Sequence, residues 1–198
     1  MTTEELEAKL AGQMETQSFE IKQARAWDVL WLAKDILAMA NVRDGGFIVV
    51  GIEDGTWKRQ GVTDVMKDTY KIDIIRDQMS PFADPSVNLT VETVKDGNEK
   101  TYIVIRVMQF EEVPVICKKD CYEAGTKPGV IYYRNSNRRI ESAAVSNAHD
   151  LRDILELATV SMMRKRQSYG YTVEPTASPS YILRSDPSFS LQQELEGL

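Results

Sequence analysis

Apolar residues recur along this chain in two periods, and the switches between them mark out the elements. From Asp28 to Ala40, Leu30, Trp31, Ala33, Leu37, Ala38 and Met39 fall at helical spacing and predict a largely buried helix. Ahead of it, Phe19 and Ile21 alternate with Ser18, Glu20 and Lys22, which predicts a strand whose polar face sets an acid beside a base, opposite the core. Beyond it, the short run Phe47 to Val50 lies between glycines and reads as a buried strand, too short for a helix. Asp44-Gly45-Gly46 supplies the tight turn into that strand, and Glu53-Asp54 leads out of it to Gly55. The order strand, helix, strand lets the two strands lie side by side, with two carboxylates at the lip of the second.

The remaining pattern is read the same way. Residues 2–13 predict an amphipathic helix with Leu6 and Leu10 inward and Thr3 as its N-cap. Residues 56–61 form a hairpin excursion, and Asp64 to Met79 predicts a second helix, stopped by Ser80-Pro81. Residues 87–94 and 100–108 flank Asp96-Gly97 and predict an antiparallel hairpin. Residues 113–116 and 129–134 predict another strand pair, joined by a basic, mobile loop over 117–128, and Val145 to Arg166 predicts a last long helix. From Gln167 onward, Pro175, Pro179 and Pro187 break any regular element, so this segment is expected to be a flexible tail or docking segment. The expected fold is α+β (an α/β two-layer arrangement): a mixed, largely antiparallel sheet packed by two or three helices. Its divisions are an N-terminal helix over 1–13, a domain over 14–166 and the tail over 167–198.

Composition narrows the function classes. With 198 residues and 42% hydrophobic content the chain suits one domain, and it has no apolar run near the roughly 20 residues that span a bilayer. The acidic start, M-T-T-E-E-L-E, lacks a secretory signal's basic and apolar regions, so a cytoplasmic protein is expected. Cys117, Cys121 and the single His149 are too few for a four-ligand zinc site within one chain. A net charge of −6 excludes coating of nucleic acid by the whole surface. It leaves room for a local basic face. Lys118, Lys119, Lys127, Arg134, Arg138 and Arg139 gather in and beside the second strand pair, with Tyr132 and Tyr133 between them, as a phosphate backbone and stacked bases require. A solvated hairpin with tyrosines alternating between core and surface is the alternative.

The acids carry the other candidate chemistry. Glu15 precedes Glu20, and both are brought by the strand order toward Glu53-Asp54, so several carboxylates can converge on one site. Such a cluster repels itself unless a cation neutralises it, and an oxygen-only donor set suits Mg²⁺ or Mn²⁺. Lys22 beside it can steady a phosphate oxygen. The plain alternatives are a salt bridge between Glu20 and Lys22 and a solvated acid pair at the strand exit.

These pieces carry a resemblance. Glu15-x4-Glu20-Ile21-Lys22, Ala38-Met39-Ala40-Asn41, Gly45-Gly46-Phe47-Ile48-Val49-Val50-Gly51-Ile52-Glu53-Asp54 and Tyr132-Tyr133-Arg134-Asn135-Ser136 followed by Glu141 to Ala144 resemble, in order and spacing, the divergent AlbA-like domain of Schlafen proteins. The resemblance covers roughly Glu15 to Leu157. It implies a three-carboxylate nuclease that cuts structured RNA, especially tRNA, with a divalent metal (Mg²⁺ or Mn²⁺) held by Glu15, Glu20 and Asp54, and with Lys22 as the catalytic lysine. Family nucleases often carry zinc and two lobes in one chain. Here one lobe is present, so a homodimer, or a larger defence or stress-response assembly, is the implied working form. Glu20→Gln is expected to abolish cutting while sparing the fold. Two other readings stand beside the endoribonuclease: a non-catalytic module that binds RNA or DNA, and an assembly protein that docks through its tail.

Overall fold

The computed structural model describes residues 1–135 and 140–171. Strand β1 (Phe19–Lys22), helix α2 (Val29–Ala40) and strand β2 (Gly46–Val50) form the strand-helix-strand unit, preceded by helix α1 (Thr3–Ala11). β1 and β2 are parallel neighbours, with Glu20 opposite Ile48 and Lys22 opposite Val50. Strands β4 (Leu89–Lys95) and β5 (Thr101–Val107) complete a mixed sheet in the order β1-β2-β5-β4, antiparallel except at that first pair. Asp28 caps α2 by accepting the Leu30 N–H at 3.0 Å. Thr2, one residue earlier than expected, caps α1 through a reciprocal pair with Glu5.

The sheet is covered on both faces, which makes three layers over β1 and β2 where two were expected. Ile48, Val50, Ile103 and Ile105 face α2 in the larger core. Phe19, Ile21, Val49 and Val104 pack under Leu6 and Leu10 of α1. Apolar residues on both faces explain why β2 is a continuous apolar run without alternation. They also reverse an expectation for β1: Glu20 and Lys22 share the α2 side of the sheet, at the margin of the larger core, and Glu20 is buried there. Gly46 permits the close approach of β1, α2 and β2, because a Cβ there would stand 2.2 Å from Met39 Sδ and 2.5 Å from Ser18 O.

The stretch read as one helix over 64–79 divides into α3 (Asp64–Lys67) and α4 (Ile72–Met79). Tyr70 between them is buried and donates to Arg25 O at 2.9 Å, a bond that a continuous helix would not aim. The second strand pair is also redistributed. β3 (Ala83–Asp84) pairs with β6 (Ile116–Cys117), and β7 (Tyr132–Asn135) pairs with β8 (Glu141–Ala144). Among the described residues a single isolated bridge, Ile116 to Ile131, joins the two segments expected to form a ladder. The reason is Asn41, at the end of α2 and fully buried. Its amide nitrogen donates to Val115 O and Tyr132 O, each at 2.9 Å, while its oxygen accepts the Val115 N–H at 2.8 Å. A side-chain amide thus occupies the backbone groups that a ladder would have used.

The last helix, α5 (Ala148–Ser168), is capped by Asn147. None of the described helices is long and apolar enough to cross a membrane. Arg138, Arg139 and the tail from residue 172 lie outside the described residues.

The hairpin expected at Asp96-Gly97 is present, and Asp96 organises it. Its buried carboxylate accepts the backbone N–H groups of Asn98 and Lys100 at 2.9 Å and the Tyr102 hydroxyl at 3.0 Å, and it faces Arg59 at 3.4 Å. Burial opposes the charge. The hydrogen bonds from Lys100, Tyr102 and Asn98 and the Arg59 guanidinium outweigh it and hold the carboxyl below its ordinary value. Asp96→Ala strands these donors and is expected to cost about 3 kcal/mol in urea unfolding. Because the folded pKa is depressed, the contribution is present above about pH 4 and lost as the pH falls through the folded value, so the gap between wild type and Asp96→Asn should close on acidification.

Candidate functional site

The site is built around a buried ion pair. Arg134 on β7 has no solvent exposure, and its Nη1 meets Glu20 Oε2 on β1 in a short charge-assisted contact. Arg134 Nη2 donates to Thr16 O at 3.0 Å, and Gln17 Nε2 returns a bond to Arg134 O at 2.9 Å. The segment that carries Glu15 is therefore held to β7 from both sides. Arg134 Nε is buried with no hydrogen-bond partner among the described residues. The Arg134 expected to reach a phosphate backbone is an internal residue that neutralises and aims Glu20.

The other Glu20 oxygen accepts from Lys22 Nζ at 2.6 Å, and Lys22 Nζ also meets Asp35 Oδ2 at 2.9 Å. Burial alone would lower the Lys22 pKa, but Asp35 and Glu20 together outweigh it and raise it above the ordinary value, so Lys22 stays charged. Asp35, which was not singled out from the sequence, lies on α2 and is buried. Its signal was an acid that, with Lys34, interrupts a helix of otherwise apolar residues, one turn beyond Trp31. Asp35, Lys22, Glu20 and Arg134 form one chain of alternating charge.

Glu15 stands beside this chain. Its Oε1 accepts the Ile21 N–H at 2.9 Å, and its pKa is raised by burial first, then by the Glu20 and Asp54 charges, against the opposing Ile21 bond and Arg134. Glu15, Glu20, Lys22, Asp35 and the exposed Asp54 line one cleft of about 530 Å³, walled by Trp31 and Lys34 of α2 and by Tyr122 to Gly125. The structure thus brings the four sequence-predicted residues, Glu15, Glu20, Lys22 and Asp54, onto one cleft. Glu123 and Glu141 also line it.

The expected basic face is divided. Lys118, Lys119 and Lys127 are exposed, with the Lys119 ammonium 4.6 Å from the centre of the Phe82 ring. Tyr132 and Tyr133 are buried and unavailable for stacking, since the first belongs to the larger core and the second packs with Val42 and Ile154. The loop expected to be mobile is tied down. Cys121 and Thr126 exchange backbone bonds at 3.0 Å, and the Tyr132 hydroxyl accepts from Lys127 N at 2.9 Å and donates to Gly125 O at 3.2 Å. Cys117 and Cys121 are free thiols.

Chemically, the cleft offers carboxylate oxygens around a charged lysine. No three acidic, histidine or cysteine side chains among the described residues are grouped closely enough to hold a metal ion as they stand. The donor type nonetheless fits a hard divalent cation, and the repulsion from Glu20 and Asp54, which adds to burial in raising the Glu15 pKa, is what such a cation relieves. Each Glu20 oxygen keeps a lone pair beyond its contact with Lys22 or Arg134.

No curated protein matches this chain. Among solved structures it is similar to that of the DIP2311 protein from Corynebacterium diphtheriae, with 19% identity and a TM-score of 0.48 over 75% of this chain and 27% of that one. The chain spans about a quarter of that protein's length. A family model described as Schlafen, AlbA_2 matches residues 15–142, from the first acid of the cleft to the serine beside Arg134. That span is more than half of the chain, which therefore belongs to the Schlafen AlbA_2 family.

Proposed function

We propose that this chain is a divalent-metal-dependent endoribonuclease acting on structured RNA such as tRNA, working as a homodimer or within a larger assembly. The family supports a nucleic-acid-related function. The observation that carries the finer reading is the meeting on one cleft of Glu15, Glu20 and Lys22, from the segment over 15–22, with Asp54 from beyond the end of β2. Glu15, Glu20 and Asp54 are the residues to hold Mg²⁺ or Mn²⁺, which when bound supplies charge neutralisation and activation of a nucleophile. Ile21 N–H fixes Glu15 Oε1 and leaves Oε2 for the site. Lys22 spends two of its three N–H groups on Glu20 and Asp35, and the third is left to steady a phosphate oxygen as charge develops on it. A second reading, a binding module with structural acids, is favoured by one observation: Glu20 already has a cation on each oxygen.

The two readings separate on incubation with total tRNA and Mn²⁺ or Mg²⁺, with and without chelator. Chelator-sensitive cutting is expected, and binding without cutting would favour the module. Asp54 is exposed and Glu15 keeps its acceptor as glutamine, so Asp54→Asn and Glu15→Gln are expected to leave the fold intact and lower cutting at least about 100-fold. Full activity in both would remove these two acids from the catalytic site.

Glu20→Gln is no longer the cleanest variant. It leaves the Arg134 charge buried without its partner, so a stability loss of about 3 to 5 kcal/mol is expected beside any loss of activity. Chemical unfolding reads that loss, and an unchanged midpoint would show that the pair does not hold β1 to β7.

Replacing the exposed Lys118, Lys119 and Lys127 by alanine is expected to weaken RNA binding. It should also flatten the logarithmic salt dependence by about 0.9 for each phosphate that a lysine no longer neutralises. An unchanged slope across a salt series would remove this face from the interface.

A further inference from the structure

The cleft has a feature that the acid cluster does not use. Tyr122 is 95% exposed at its lip, although the turn that carries it is anchored by hydrogen bonds. The turn closes with Gly125 N–H donating to Tyr122 O at 3.0 Å. Below it Ala124 and Thr126 are buried, and Thr126 Oγ1 donates to Lys119 O at 3.1 Å. Across the same cleft stands the half-buried Trp31, with the Arg25 guanidinium 5.4 Å from its ring centre. Lys34 reaches toward Gly125 between the two walls, with its Nζ 3.9 Å from where a Cβ on that glycine would lie.

Electrostatics set what such a cleft can hold. Its lining carries Glu15, Glu20, Asp35, Asp54, Glu123 and Glu141 against Lys22 and Lys34. Even with Arg134 behind Glu20 and a divalent cation bound, the charges among the described residues leave a small negative excess, so a phosphate backbone gains little here by charge alone and contacts that do not depend on charge must add to the affinity. Two aromatic rings at the mouth supply one. Stacking of a base on an aromatic side chain contributes about 1–3 kcal/mol, and a tyrosine on an anchored turn has only two side-chain torsions to lose when it is covered. A paired base has both faces covered by its neighbours and cannot present one to Tyr122 or Trp31. An unpaired or extruded base can, and one nucleotide matches a cleft of about 530 Å³, within the range of about 300–1,000 Å³ for small-molecule sites.

Resting on the nuclease reading above, we propose that Tyr122 and Trp31 form a stacking clamp for one unpaired base, so that the site takes single-stranded stretches of RNA and rejects continuous duplex. Lys34 meets the adjoining phosphate, and the stacked base sets the backbone over Lys22 and the acids. In a folded RNA the clamp directs the site to loops, bulges and ends.

The test is fluorescence anisotropy of the full chain in Ca²⁺, with a labelled 12-residue single strand and a blunt duplex of the same sequence. The wild type is expected to prefer the single strand. Tyr122→Ala, at a side chain that buries almost nothing, should lower single-strand affinity about ten- to a hundredfold and leave duplex affinity and thermal stability unchanged. Tyr122→Phe should restore it, because stacking needs the ring and not the hydroxyl. Equal affinity for strand and duplex, or an unaffected Tyr122→Ala, overturns the clamp while leaving the nuclease reading standing if total tRNA is still cut. Failure to bind or cut any RNA overturns both. Binding of a lysine-rich peptide in place of RNA would reassign the acidic, aromatic cleft to a cationic protein partner and overturn the proposal.

Discussion

Everything at this site depends on a carboxylate being tolerated in the interior, and Arg134 is what makes that possible. Glu20 sits buried at the edge of a core, where a charge without a partner is costly. The guanidinium reaches it from a different sheet, and the same group holds Thr16 O, so one side chain fixes both the acid and the segment ahead of β1 that carries Glu15. Such a pair is poor evidence of net stability, because two ions have been taken from water to make it. Its contribution is register. β7 and β1 cannot slide past one another without stranding a charge.

Asn41 does for the backbone what Arg134 does for the acids. One amide spans the end of α2, the segment just before β6 and the start of β7, and thereby ties these three parts of the chain together. The two residues divide the labour by chemistry. A neutral amide can satisfy both a donor and an acceptor of the main chain, whereas a guanidinium only donates and so suits a carboxylate and carbonyl oxygens.

The central unit was legible because its signals were local. Helical spacing in α2, the glycine-bounded run of β2 and the Asp96-Gly97 turn each lie within a few residues, and their pieces came in the family's order. What the sequence concealed were side chains whose meaning depends on what lies across from them. Arg134 and Tyr132 look like a surface pattern of charge and aromatic until β8 and α2 cover them. Asp35 looks like a blemish in an apolar helix until Lys22 arrives from β1. Tyr122 is the converse, a large aromatic that the Cys121 to Thr126 turn holds in the open.

The joining of Glu20 to Arg134 has a consequence for how the protein is made. Arg134 and its acceptor Phe19 O are 115 positions apart, so a chain emerging from the ribosome exposes β1 long before the guanidinium that completes it. Until then Lys22 is the cation nearest to Glu20 in sequence, and the central sheet must assemble around a half-neutralised acid. The cleft is therefore among the last parts of the molecule to form, and a truncated chain carries its acids without the partner that aims them. Synthesis itself withholds the assembled site until most of the domain is present.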